Sequence, residues 1–173
     1  METATNSLYR EHSMSVLDKD YFNSEVKMYN IVQIKDEDLL SRFDEIKGNI
    51  DKALVHSDGE WTSFQIVKEA ISNPGFFQVW DILNKDNESV AIATTRFIEY
   101  NSFNSIHIIT LGGVAQGDFP LWANEFERMI KQIPNVDYLE FTGRRGLVKG
   151  LTKVGWNERY TTMRKQLKGD EDV

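Results

Sequence analysis

From Met28 to Ile34 apolar and polar residues alternate weakly, which predicts a first strand. From Asp38 the period lengthens. Leu39, Leu40, Phe43, Ile46, Ile50, Ala53 and Leu54 recur at helical spacing, with Asp36, Glu37 and Asp38 at the end where the helix dipole favours acids. Ser57-Asp58-Gly59 breaks this helix. A second is predicted over Glu60 to Ser72, with Trp61, Phe64, Val67, Ala70 and Ile71 on its buried side, and Asn73-Pro74-Gly75 ends it. Three β-branched and aromatic runs follow: Phe76 to Leu83, Ser89 to Tyr100 and Ser105 to Leu111, separated by the turns Asn84 to Glu88 and Asn101 to Asn104. Gly112 to Phe119 reads as a loop and Pro120 to Ile133 as an amphipathic helix, with Leu121, Trp122, Phe126, Met129, Ile130 and Ile133 as its core stripe. Tyr138 to Thr142 is a strand, Gly146 to Val154 a short helix stopped by Gly155, and Asn157 to Leu167 a last strand.

This order predicts an α/β fold with a mixed twisted sheet, β-α-α-β-β-β-α-β-α-β, and helices on both faces. The short turns make the middle strands an antiparallel meander, and the Ser105 to Thr142 crossover makes a right-handed parallel pair. Residues 1–25 are polar without a sustained period and read as an extended arm. Residues 26–168 form one domain, and 169–173 are an acidic tail.

Composition narrows the chemistry. The 173 residues carry a formal charge of −7, which argues against a general nucleic-acid or membrane-surface binder. No apolar run approaches the ~18–20 residues needed to cross a bilayer, and no secretory leader is read, so synthesis in the cytoplasm is expected. With no cysteine, thiolate catalysis and disulfides are excluded. The three histidines, His12, His56 and His107, have no metal-site spacing, so no metal is expected.

The loop after Leu111 is the strongest chemical signal. A strand feeding a helix through such a loop points backbone N–H groups and the positive helix end at one spot, where phosphate binds. Around it, His107 on the central strand has the titration range of a general base, and Glu99 is a second candidate; each is more simply a structural or solvent-facing residue. Arg144 and Arg145, on a glycine-flanked turn, could grip carboxylate or phosphate or neutralise Glu140 and Glu158. Tyr160 is expected to pack one end on the sheet with its hydroxyl in water.

The element order from Met28 to Leu167 resembles the Gcn5-related N-acetyltransferase (GNAT) superfamily. Gly143-Arg144-Arg145-Gly146, Lys153-Val154-Gly155-Trp156 and Tyr160 to Leu167 look like a narrower group, the GNAT-like virion proteins of short-tailed marine phages. In active members a Gln/Arg-x-x-Gly-x-Gly/Ala loop holds the coenzyme A pyrophosphate. Laid on Gln116, that motif puts Phe119 at its first glycine and Leu121 at its last position, with Asp118 and the N–H-less Pro120 beside them. The short helix Gly146 to Lys153 also lacks the tyrosine that active relatives often use as acid.

The resemblance therefore implies a non-catalytic phage structural protein of the virion, in the internal core or portal–tail region. It would hold no cofactor and contact other phage structural proteins, or copies of itself, with Arg144 and Arg145 as interaction residues. No catalytic residue is assigned in that reading. The alternative is a working N-acetyltransferase in which Ala115, Gln116 and Gly117 hold acetyl-CoA. A weaker one is a phage-encoded inhibitor of a host protein.

Overall fold

The computed structural model describes residues 29–57, 59–113, 119–143, 146 and 148–160, with main chain alone for 119–122. The expected arm and tail, Ala115, Gln116, Gly117, Asp118, Arg144 and Arg145 lie outside these residues, as does most of the expected last strand. The elements in chain order are β1 (Tyr29–Gln33), α1 (Asp36–Leu39), α2 (Phe43–Leu54), α3 (Ser63–Ser72), β2 (Phe77–Asn84), β3 (Ser89–Glu99), β4 (Asn104–Gly113), α4 (Phe119–Ile130), β5 (Tyr138–Phe141) and α5 (Val148–Lys153).

Among the described residues the strands form one five-stranded sheet in the order β1-β2-β3-β4-β5. Its pairs are antiparallel except β4–β5, which is parallel, as a crossover through α4 requires. Side chains alternate across the sheet and feed two cores. Trp80, Ile82, Ala93, Ile106 and Ile108 meet Phe126 and Ile130 of α4 on one face. Val79 and Ile92 meet Ile46 and Ile50 of α2 and Ile66 and Ala70 of α3 on the other. Helices thus cover both faces, as the pattern predicted.

Four local expectations change. The helix predicted from Asp38 to Leu54 is two helices, because residues 40–42 turn between α1 and α2. Ser41 Oγ donates to the Asp38 carbonyl at 2.9 Å, a local bond that competes with helical continuation. Arg42, at φ −94° and ψ 2°, turns its guanidinium to Glu45 and to Asp81 of β2. The second helix begins at Ser63 instead of Glu60, closed by a capping box. Thr62 Oγ1 accepts from the Gln65 N–H at 3.2 Å and Gln65 Oε1 accepts from the Thr62 N–H at 2.9 Å.

Its buried stripe is Ser63, Ile66, Val67 and Ala70, leaving Phe64 64% and Ile71 40% exposed. Phe64 instead stands edge-on to Phe43 at 6.4 Å. Finally, residues 157–160 join no strand, and Tyr160 is 90% exposed rather than packed on the sheet.

Asp81 is 3% exposed and ion-pairs with Arg42 at 2.6 Å. Removing the cation strands a carboxylate among Val79, Ile92 and the α2 core. Arg42→Met is expected to lower stability at pH 7 by about 2–3 kcal/mol, and adding Asp81→Leu to recover part of that loss. Urea unfolding of both variants checks this; a double variant no more stable than Arg42→Met would refute the account.

Candidate functional site

The site is built by a fault in the β3–β4 ladder. Thr94 pairs with Thr110 but Thr95 pairs with Ile108, so Ile109 is an extra residue on β4. Such a bulge bends its strand, raises the local twist and ends pairing on the far side. The parallel ladder to β5 ends at this position, at Ile108 opposite Phe141. Beyond it, among the described residues, β4 runs on to Gly113 against β3 alone, with no β5 residue opposite Ile109 to Gly113. The β4–β5 ladder therefore stops there, and the stretch of β4 beyond it, on the way to α4, forms the opening of the candidate site.

Each wall of the opening has its own character. On the α4 face a small apolar pocket is lined by Leu111, Leu139, Phe141, Leu151 and Trp156. Phe141 lies against Gly143, leaving no space for a side chain there. On the α2 face the wall is polar. Buried Thr94 and Thr110 share a hydroxyl hydrogen bond at 2.6 Å. One pleat further from the opening, Arg96 of β3, His107 of β4 and Glu140 of β5 stand directly opposite one another in register. Directly opposed residues have Cβ atoms only ~5 Å apart, so the three form a continuous row across the sheet.

The row is half-buried and held from one end. Glu140 Oε2 accepts from Ser105 Oγ at 2.6 Å and from the Tyr100 hydroxyl at 3.1 Å. Phe103 packs between Tyr100 and Tyr138 at 4.6 and 4.9 Å, fixing that corner. Burial, and after it the charge of Arg96, push the His107 imidazole below its ordinary range; Glu140 opposes this. His107 is thus held as a free base at neutral pH. Burial and the Glu140 hydrogen bond push the Tyr100 phenol up, so it remains a donor.

Of the residues singled out in the sequence, His107 lies in this constellation. Glu99, the other base candidate, is exposed at the end of β3. The sequence reading missed Arg96, Tyr100 and Ser105 and gave Glu140 only as a neighbour for surface arginines. Their signal was obtainable only from strand register, since 44 positions separate Arg96 from Glu140 in the chain. Among the described residues no group of histidines and acids could hold a metal ion, and no helix is long and apolar enough to cross a membrane.

No protein-family profile matches the chain, and no curated protein matches it in sequence. Solved structures do match. Glucosamine-6-phosphate N-acetyltransferase from Arabidopsis thaliana superposes with a TM-score of 0.54 at 13% identity, over 81% of this chain and 99% of that one. An acetyltransferase from Trypanosoma brucei gives 0.54 at 12%, over 80% and 99%. An aminoglycoside acetyltransferase from an uncultured soil metagenomic sample, solved with sisomicin, gives 0.54 at 15%, over 82% and 97%. At such identities the likeness speaks for the fold. It shows that this chain has a GNAT-like fold, a mixed five-stranded sheet with helices on both faces.

Proposed function

We propose that this protein is an N-acetyltransferase that moves an acetyl group from acetyl-CoA to an amine. The observation that carries the reading is the end of the β4–β5 ladder at the Ile109 bulge, beside a neutral imidazole. The strand residues present fit the group. Among the described residues Ile109 to Gly113 have no ladder partner on their β5 side, and backbone N–H groups of Ala115, Gln116 and Gly117 would hold its phosphates at the start of α4. Bound there, acetyl-CoA supplies the acyl thioester.

The chain's own residues supply the rest. His107 Nδ1 or Nε2 takes the proton that the acceptor amine must lose, Glu140 steadies the imidazolium so formed from the adjacent strand, and His107 then gives that proton up to the thiolate that leaves as the amide forms. Ser105 and Tyr100 hold Glu140 in place. Isothermal titration of the full chain with acetyl-CoA tests the reading. A dissociation constant in the micromolar range supports it, and no heat at millimolar ligand overturns it.

One observation favours a second reading. α4 begins at Phe119, so Pro120 stands in its first turn and withdraws an N–H from the helix end where phosphate would sit. This supports a GNAT-like domain without acetyl transfer; under that reading we propose a phage structural protein, made in the host cytoplasm and carried in the internal core or portal–tail region of the virion. It would meet other phage structural proteins, or its own copies, through Arg144 and Arg145. Mass spectrometry of purified particles decides this reading, which fails if the protein is absent from them.

A further inference from the structure

Arg96 is the member of the polar row that acetyl transfer leaves without a task. Its Nε is buried and has no hydrogen-bond partner among the described residues. A guanidinium normally meets a carboxylate when it is drawn under the surface, because a buried donor without an acceptor costs about 1–3 kcal/mol. Glu140 would be the obvious acceptor. Instead Glu140 Oε2 is taken by Ser105 and Tyr100, and His107 stands between the two strands that carry Arg96 and Glu140. The row therefore runs cation, neutral base, anion, and the buried Nε of the cation has no acceptor among the described residues.

We propose that Arg96 binds an anionic group carried by the acceptor itself, a carboxylate or a phosphate a few bonds from the amine that His107 deprotonates. This rests on the acetyltransferase reading for the role of the amine. The charges on the row match such a molecule in order. The anion meets the guanidinium fork, and the amine comes to the His107 imidazole with the Glu140 carboxylate beyond it. A neutral amine would leave the Arg96 Nε as it stands, without an acceptor among the described residues, whereas an anionic one supplies that contact, and the site discriminates by this difference. The separation suits a small molecule, since opposed residues on neighbouring strands stand ~5 Å apart.

The test uses three small primary amines: β-alanine, O-phosphoethanolamine and propylamine. Each is titrated into the full chain without acetyl-CoA while the His107 imidazole is followed by NMR, its signal assigned through His107→Gln. We expect one or both anionic amines to bind at least tenfold more tightly than propylamine, the better of the two identifying carboxylate or phosphate as the group. Binding should also raise the His107 pKa, because the anion cancels the Arg96 charge that depresses it.

Arg96→Gln should abolish both the preference and the pKa response. Arg96→Lys should keep the charge yet weaken the preference, through loss of the fork. Thermal melting confirms that the variants fold; if Arg96→Gln does not, Arg96→Lys carries the comparison.

Equal binding of the three amines, no binding by any, or a preference that survives Arg96→Gln would overturn the inference. Acetyl-CoA titration separates this from the activity. If acetyl-CoA binds and the anion preference is missing, only the role of Arg96 falls. If the preference holds and acetyl-CoA does not bind, acetyl transfer falls and the row remains a binding site.

Discussion

Gly112→Val is expected to lower the unfolding free energy by about 3 kcal/mol or more, enough to raise the unfolded population by about a hundredfold. A Cβ at Gly112 would run into the main-chain carbonyl of Asn49 and come within 3.2 Å of Ala53 Cβ. The obstacle is the backbone of α2, which cannot rotate aside as a flexible side chain can. Either α2 lifts from Ile92 and its own core partners, or the end of β4 leaves β3. Both routes disturb the strand end that delivers the chain to α4.

Gly112→Ala meets the same carbonyl with fewer atoms and should cost about 1–3 kcal/mol. Gly48 faces open space on α2 and serves as the control; Gly48→Ala should be neutral or slightly stabilising, by up to ~1 kcal/mol. Chemical denaturation of the three variants gives the comparison. A Gly112→Val protein as stable as the parent would mean that α2 does not rest on β4 in this way.

His107→Gln is expected to reduce kcat by about 10²–10⁴-fold, the usual contribution of a positioned base, while acetyl-CoA affinity stays within a factor of about two. The pH dependence carries its own signature. The folded His107 pKa lies below the ordinary 6.5, so the imidazole is already a free base at pH 7. Activity should therefore be flat through neutrality and fall only on the acid side of 6.5. The charged groups that set this limb are Arg96, which lowers it, and Glu140, which raises it; the Tyr100 phenol stays neutral over the range.

Stability should follow the same direction. In the acid range the unfolded imidazole binds its proton first, so the contribution of His107 is complete above pH 6.5 and is lost as pH falls through the folded pKa. A limb above pH 7, or full activity in His107→Gln, would remove His107 from the chemistry. Reduced activity accompanied by a matching loss of thermal stability would instead make it a packing residue.

Periodicity along the chain was sufficient for the element order. The 3.6-residue stripe of α2, the aromatic and β-branched runs of β2 to β4 and the strand-helix-strand crossover each depend on burial of a face, a property that local residue order encodes directly. It was also sufficient to mark His107 as a titratable group on a central strand. The rotated stripe of α3 was less legible, because Phe64 and Ile71 satisfy helical spacing as well as Ile66 does. Only packing against Val79 and Ile92 selects the face. The break at 40–42 was hidden for a related reason: Arg42 leaves the helix to reach Asp81, 39 positions away.

The site itself belongs to tertiary structure. A bulge exists only relative to a partner strand, so no local pattern marks Ile109 as the extra residue. Arg96, His107 and Glu140 become neighbours through two strand registers, one antiparallel and one parallel, each fixed by which side chains the cores accept. The sequence by itself determined the order of strands and helices and the place where the chain passes from β4 to α4. Tertiary structure decided that the β4–β5 ladder ends at Ile108. It also decided that a cation, a neutral base and a carboxylate stand in line beside the opening, because hydrogen-bonded register, and not proximity in the chain, sets which side chains share a few ångströms.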